Sequence, residues 1–146
     1  MKKILLVLIG VSVLSLADMS RDGAGIVTDS VTTLQWQDDY SDNGDVIKYT
    51  NWRAAINYCE NELSLGGHND WRLPNKNELL SVVDYTKSNP AIYEEFQNKT
   101  SNYYWSSTTN ANNPSSAWLV DFYNGTSNDY YGKYIIVPVR CVRSGQ

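Results

Sequence analysis

The stretch Asn69-Asp70-Trp71-Arg72-Leu73-Pro74-Asn75-Lys76-Asn77-Glu78-Leu79-Leu80 constrains the fold of this chain more than any other. Trp71 and Leu73 alternate with Arg72 in the two-residue period of a half-buried strand. Pro74 then sets extended or turn geometry. Asn75 stands where a helix N-cap belongs, and Glu78, three residues on, can reach back to the cap's own amide. Trp71, Arg72, Leu73, Pro74 and Glu78 therefore read as a structural junction, which Trp105 in Tyr104-Trp105-Ser106-Ser107 joins as a second aromatic anchor. Such a junction reports on fold rather than on chemistry.

The N-terminus points to export. Lys2 and Lys3 precede an apolar run from Ile4 to Leu16, and Ser15-Leu16-Ala17 supplies small residues for a cleavage site. As a helix that run would reach roughly 20 Å, short of a ~30 Å hydrocarbon core. Residues 1–17 are read as a cleaved signal peptide and residues 18–146 as a single domain, with no membrane span after cleavage. The expected location is the periplasm, the cell surface or the medium. The whole chain carries a formal charge of −4, which loss of the two lysines takes to about −6. That balance argues against nucleic acid and anionic membranes, both of which select basic patches. In an exported chain the only two cysteines, Cys59 and Cys141, most simply form one disulfide.

Local patterns give an α+β chain. Gly25 to Asp29 and Leu34 to Asp38 read as strands joined by a tight turn over 30–33. The first helix is expected from Thr50 or Asn51 to about Leu65, stopped by Gly66-Gly67, with Trp52, Ala55, Ile56, Cys59 and Leu63 on one apolar stripe. The second runs from Asn75 to about Tyr85, burying Leu79, Leu80 and Val83. Ile92, Tyr93 and Phe96 predict a short helical turn. Strands follow at 103–107, 117–123 and 133–143, with Asn124-Gly125 as a hairpin turn. Pro138 should lie at an edge or a bulge.

Taken together, Leu34-Gln35-Trp36-Gln37-Asp38, the helix from Trp52 to Leu65, Asp70 to Leu79, Trp105-Ser106-Ser107, Ala117 to Phe122 and Val139-Arg140-Cys141-Val142-Arg143 resemble the C-terminal domain of the Legionella collagen-like adhesin (Lcl) family. The resemblance to this bacterial family covers nearly all of residues 25–143. It implies a C-type-lectin-like fold: two helices packed on small antiparallel sheets, neighbouring termini, and a disulfide from first helix to last strand. It also implies adhesion, with a glycan or a protein as ligand. Two departures stand out. Thr33 occupies a turn position where many relatives carry glycine, and a β-branched residue dislikes positive φ, so another turn type is expected. The Glu-Pro-Asn and Trp-Asn-Asp signatures of calcium-dependent lectins are absent, so calcium-dependent sugar binding does not carry over.

No catalytic set emerges from the sequence. His68 is the only histidine, and it follows two glycines in a turn. Ser106 and Ser107 lack a nucleophile elbow. Formylglycine-generating enzymes share the broad fold class and use an active-site cysteine pair, whereas both cysteines here are assigned to structure. The acidic run from Asp38 to Asp45 clusters oxygen ligands of the calcium type, but lacks the spacing and terminal Glu of an EF-hand. A solvated loop without cofactor is the stronger reading. Arg72, Arg140 and Arg143 are expected to bind backbone carbonyls or cover aromatic faces, with a ligand-carboxylate clamp as the other option.

With eleven Tyr and five Trp, the chain has more aromatics than a small core demands. Candidate ligand-binding residues are Asn110, Asn112 and Asn113 in one polar loop, and Tyr123, Asn124, Asn128, Asp129, Tyr130 and Tyr131 around the second hairpin. Rings supply broad contact area and amides supply adaptable hydrogen bonds. The other reading is that these tyrosines cover the sheet and the asparagines make turns. The sequence thus predicts a non-enzymatic binding module, with an envelope structural or assembly role as the alternative.

Overall fold

The computed structural model describes residues 18–145, so the expected signal peptide lies outside the described residues. Among the described residues the chain is α+β, with small antiparallel sheets, two short α-helices and one disulfide. Strands β1 (Met19–Arg21), β2 (Ile26–Asp29), β3 (Leu34–Gln37) and β9 (Val142–Ser144) form a four-stranded sheet in the order β1-β2-β3-β9. Across it, Val27 pairs with Trp36 and Trp36 with Val142, giving a row without solvent exposure. A backbone bridge from Val142 to Arg72 carries the row on to the Trp71–Leu73 segment, whose two apolar side chains are buried as the alternation predicts.

A two-stranded sheet pairs β4 (Tyr49–Thr50) with β8 (Val137–Pro138), so Pro138 lies on an edge strand. A third sheet orders β5 (Tyr103–Thr109), β6 (Ala117–Asp121) and β7 (Thr126–Asn128), with a bulge in β5 between Trp105 and Thr109. The expected strand over 133–143 is corrected to β8 and β9, which belong to different sheets. The interruption falls at Val139 to Cys141, where the chain passes from one sheet to the other.

Helix α1 (Trp52–Asn57) is capped by the Asn51 side chain, which accepts from the Ala54 amide. It ends earlier than its apolar period suggests. Residues Tyr58–Glu62 widen into a π-turn, and Leu63 is extended. Gly66 and Gly67 therefore stop no helix; they form a tight turn that bridges Leu65 to His68. A side chain at Gly66 would meet Ile26 Cδ1 at 2.5 Å, so the turn packs directly on β2. Helix α2 (Lys76–Ser81) is likewise shorter than expected, closing at Val82 rather than near Tyr85. Val82 and Val83 are buried all the same, because the chain turns inward over the core instead of continuing a helical face. Ile92, Tyr93 and Phe96 form no helix. A single turn closes from Phe96 N to Tyr93 O, and Ile92 and Phe96 fill the core.

The hairpin turn over 30–33 departs from expectation at Thr33, whose φ is +61°. Asp29 imposes that geometry. Its carboxylate accepts from Val31 N and Thr32 Oγ1 while its carbonyl accepts from Thr33 N. Gly145 N then donates to Thr33 O, tying the C-terminus to this turn.

Two apolar clusters make the core. Met19, Val27, Trp36, Leu79, Ile92, Phe96, Tyr104 and Phe122 belong to one. Ile26, Ala55, Cys59, Leu63, Trp71, Leu73, Trp105, Leu119, Val139 and Cys141 belong to the other. Cys59 on the π-turn is bonded to Cys141, just ahead of β9. Beside that bond, Gln37 donates to Tyr58 Oη and accepts from Cys141 N. Among the described residues no helix is long and apolar enough to cross a membrane.

Candidate functional site

The polar loop between β5 and β6 is folded by its own amides. Asn110 is buried and donates to Asp129 Oδ2 at 2.9 Å, while its carbonyl oxygen accepts from the amides of Asn112 and Asn113. Asn113 in turn accepts from Ser115 N and donates to Ser116 Oγ. Short amide side chains bonding the backbone two or three residues on are what build such turns. The Asn110–Asp129 bond and a backbone bridge from Ser116 to Gly132 clamp this loop to the segment after β7. Asn112 stays exposed at the tip.

The nine candidate residues do not form one patch. Asn110, Asn112, Asn113, Asn128, Asp129, Tyr130 and Tyr131 gather at one end of the β5-β6-β7 sheet. Tyr123 and Asn124 lie at the other, across the length of β6, roughly 13 Å at 3.3 Å per residue. There, Asn124 accepts from Thr126 N and Oγ1, and Tyr123 O accepts from Asn89 N. Only Gly125 of the Asn124-Gly125 pair takes positive φ, and a side chain there would collide with Val83 at 2.5 Å. Tyr131 leans back along the sheet onto Tyr103, the β5 residue opposite Asp121, with ring centroids 5.4 Å apart, whereas Tyr130 is 87% exposed. Asn128 Oδ1 is buried and without a protein partner.

Next to this end lies a groove that sequence reasoning missed. It has a volume of about 530 Å³ and is lined by Asn51, Trp52, Arg53, Pro114, Lys133 and Tyr134. Trp52 N donates to Lys133 O and its indole Nε1 to Ser106 O, so the start of α1 is sewn to both neighbouring segments. The Lys133 ammonium lies 3.9 Å from the Trp52 ring centroid and donates to Thr109 Oγ1. Lys76 sits over Trp118 at the same distance. Trp52 read as one more member of the core stripe and Lys133-Tyr134 as strand. The available signal was the mixed Tyr-Tyr-Gly-Lys-Tyr run at 130–134, which no two-residue burial period explains.

The junction residues are occupied structurally. Arg72 does not bind helix-end carbonyls as expected; it makes a two-pronged pair with Glu78, at 2.8 and 2.6 Å. Glu78 also accepts from Asn75 N, and Asn75 accepts from Glu78 N, completing the capping box. Burial alone would raise the Glu78 carboxyl, but the Arg72 and Asn75 hydrogen bonds and the Arg72 charge hold it below the usual range. Trp71 and Trp105 donate their indole N–H to His68 O and Thr50 O. Arg143 binds Asp70 and Gln35. Arg140 combines both expected roles, donating to Gln37 O and Asn98 O while its guanidinium covers Phe96. Asp38, at the head of the acidic run, is turned inward onto Arg21, Arg140 and two backbone amides. Ser106 donates its hydroxyl to Trp118 O, and His68 is half-buried in its turn.

No curated protein matches this chain. Residues 25–143 match the model of one family, described as the Lcl C-terminal domain. The match spans both core clusters except Met19, the disulfide and the whole of the polar end, and the chain belongs to the Lcl C-terminal domain family.

Proposed function

We propose that this protein is an exported, non-enzymatic binding module of the cell envelope, with a C-type-lectin-like fold and an adhesive or ligand-recognising role. Export is supported by the leader-like N-terminus and by the disulfide, a bond that persists in oxidising compartments. The fold reading is supported by the bond from the first helical segment to the approach of β9, and by the C-terminus tied back to the first hairpin.

The observation that carries the reading is the aromatic surface at 130–136. Tyr130 is 87% exposed, Tyr134 82% and Ile136 60%, on a segment held in place by backbone bonds to 115–116 and to Trp52. Large apolar side chains fixed on an ordered surface, beside hydrogen-bonding amides, provide contact area at low entropic cost. Its ligand is a glycan or a protein. The test is a glycan-array screen and an envelope-extract pull-down with the oxidised protein, with and without calcium. Tyr130→Ala/Tyr131→Ala should abolish the binding found while leaving the melting curve in place. Unchanged binding by the double variant removes this surface as the contact site.

A further inference from the structure

The groove beside that surface has a composition that specifies more than general stickiness. Resting on the binding-module reading above, we propose that it takes an extended, proline-containing acidic peptide segment of a partner protein.

Three observations converge. The first is the wall chemistry: Trp52, Pro114 and Tyr134 line one groove, and proline-rich chains dock into such aromatic-lined grooves because a polyproline helix arrives already ordered. The exposed Tyr134 ring lies over Gly132, where an added Cβ would collide with it. The second is that Lys133 covers a face of the Trp52 indole at 3.9 Å. Lys133 thus occupies a face on which a sugar ring would stack, while the Pro114 pyrrolidine and the exposed Tyr134 phenol are surfaces that suit proline side chains. Asn51 accepts from Ala54 N, which leaves its NH₂ as a donor for a ligand carbonyl.

The third observation is charge. The ion pairs among the described residues engage Arg21, Arg72, Lys87, Arg140 and Arg143 and leave out Lys48, Arg53, Lys76, Lys99 and Lys133, of which Arg53 and Lys133 line this groove. Two cations without carboxylate partners thus face one groove in a chain where acidic residues outnumber basic ones by 16 to 12. A polyproline helix repeats every three residues, so carboxylates at that spacing fall on one face, toward both cations. The guanidinium of Arg53 matches a carboxylate fork to fork.

The test uses the full oxidised protein and titration calorimetry with synthetic heptapeptides in which glutamate alternates with two prolines. The comparison peptides replace proline by glycine, or glutamate by lysine, and oligogalacturonate serves as the acidic sugar. The expected result is saturable binding of the glutamate–proline peptide, at least tenfold tighter than either comparison peptide. Tyr134→Ala and Arg53→Glu, both at exposed positions, should each weaken it about tenfold with unchanged circular dichroism. Tyr85→Ala, an exposed tyrosine beside Gly125 and away from both the groove and the 130–136 surface, should leave it intact. Equal binding of the glycine peptide, or no saturable binding, overturns the proposal. Oligogalacturonate binding that Tyr134→Ala removes also overturns it, making the groove a sugar site. Envelope or glycan binding lost only in Tyr130→Ala/Tyr131→Ala would reject the groove while keeping the wider reading.

Discussion

Asp38 and Arg140, 102 residues apart in sequence, meet at 3.1 Å with both side chains fully withdrawn from solvent. Arg140 lies between Val139 and Cys141 of one core cluster and spreads its guanidinium over Phe96 of the other, at 4.4 Å. Burial works against its charge, but Tyr40, Tyr104 and Asp38 around it hold the group protonated beyond its ordinary range. Asp38 also accepts from the amides of Gln97 and Asn98, so one carboxylate ties three chain segments together.

Removing one partner of a buried pair leaves an uncompensated charge, at a cost of about 3–5 kcal/mol. Asp38→Asn should therefore lower the urea-unfolding free energy by that amount. Arg21→Ala, which removes Asp38's more exposed partner, should cost about 1 kcal/mol or less. Equal losses from the two variants would show that Arg140 is not the dominant partner.

The Cys59–Cys141 bond closes a long loop, with a sequence separation of 82. On the chain-entropy model such a crosslink is worth about 4–5 kcal/mol, a large share of the roughly 5–15 kcal/mol of a domain. Cys59→Ala/Cys141→Ala should thus shift the urea midpoint sharply downward and make folding marginal. Reductant should do the same to the parent and nothing to the variant. A midpoint that ignores reductant would mean the bond adds little.

Much of this architecture is legible in the residues, and what escaped has physical causes. The capping box at Asn75 and Glu78 could be read because both halves are local and of fixed spacing. The cysteine pairing followed from count and compartment. The ends of α1 and α2 were overrun because apolar period persists where the chain stays buried, whether or not it stays helical. Leu63 and Val83 are core residues outside any helix. The segment 133–143 has strand-like residues throughout but divides between two sheets, a tertiary choice that no local pattern encodes. Of the candidate surface, the exposed tyrosines were visible by composition. The groove was not, since Trp52 and Lys133 are 81 positions apart and are brought together only by the fold, through a backbone bond and the ammonium over the indole.

Thr33 is held at φ +61°, a region that costs a β-branched residue roughly 1–2 kcal/mol. Glycine relieves that strain but loses more chain entropy on folding, about 0.5–1 kcal/mol. Thr33→Gly should therefore stabilise by about 0.5–1 kcal/mol, raising Tm by about 2–4 °C for a chain of this size. The backbone bonds from Thr33 to Asp29 and Gly145 remain available to it. A lower Tm would mean that the Thr33 side chain contributes packing that outweighs the strain.

Glu78 sets part of the acid limit of stability. Its folded carboxyl titrates below the usual range, because Arg72 and the Asn75 amide outweigh burial. A depressed carboxylate contributes stability that is complete above its unfolded pKa of about 4.3 and is lost as pH falls through the folded value. Glu78→Gln should thus cost about 1 kcal/mol at pH 7, modest because the Arg72 side chain is 40% exposed. The difference from the parent should shrink steadily below about pH 4. Asp39, Asp70 and Asp84 are depressed too and shape the same limb in both proteins, so only the difference curve isolates Glu78. Asn75→Ala removes the cap without removing the carboxylate, and should cost about 1 kcal/mol at pH 7. Urea midpoints for the three proteins from pH 3 to pH 7 decide the matter: a Glu78→Gln difference that stays constant with pH would place its cost in lost packing rather than in the charge.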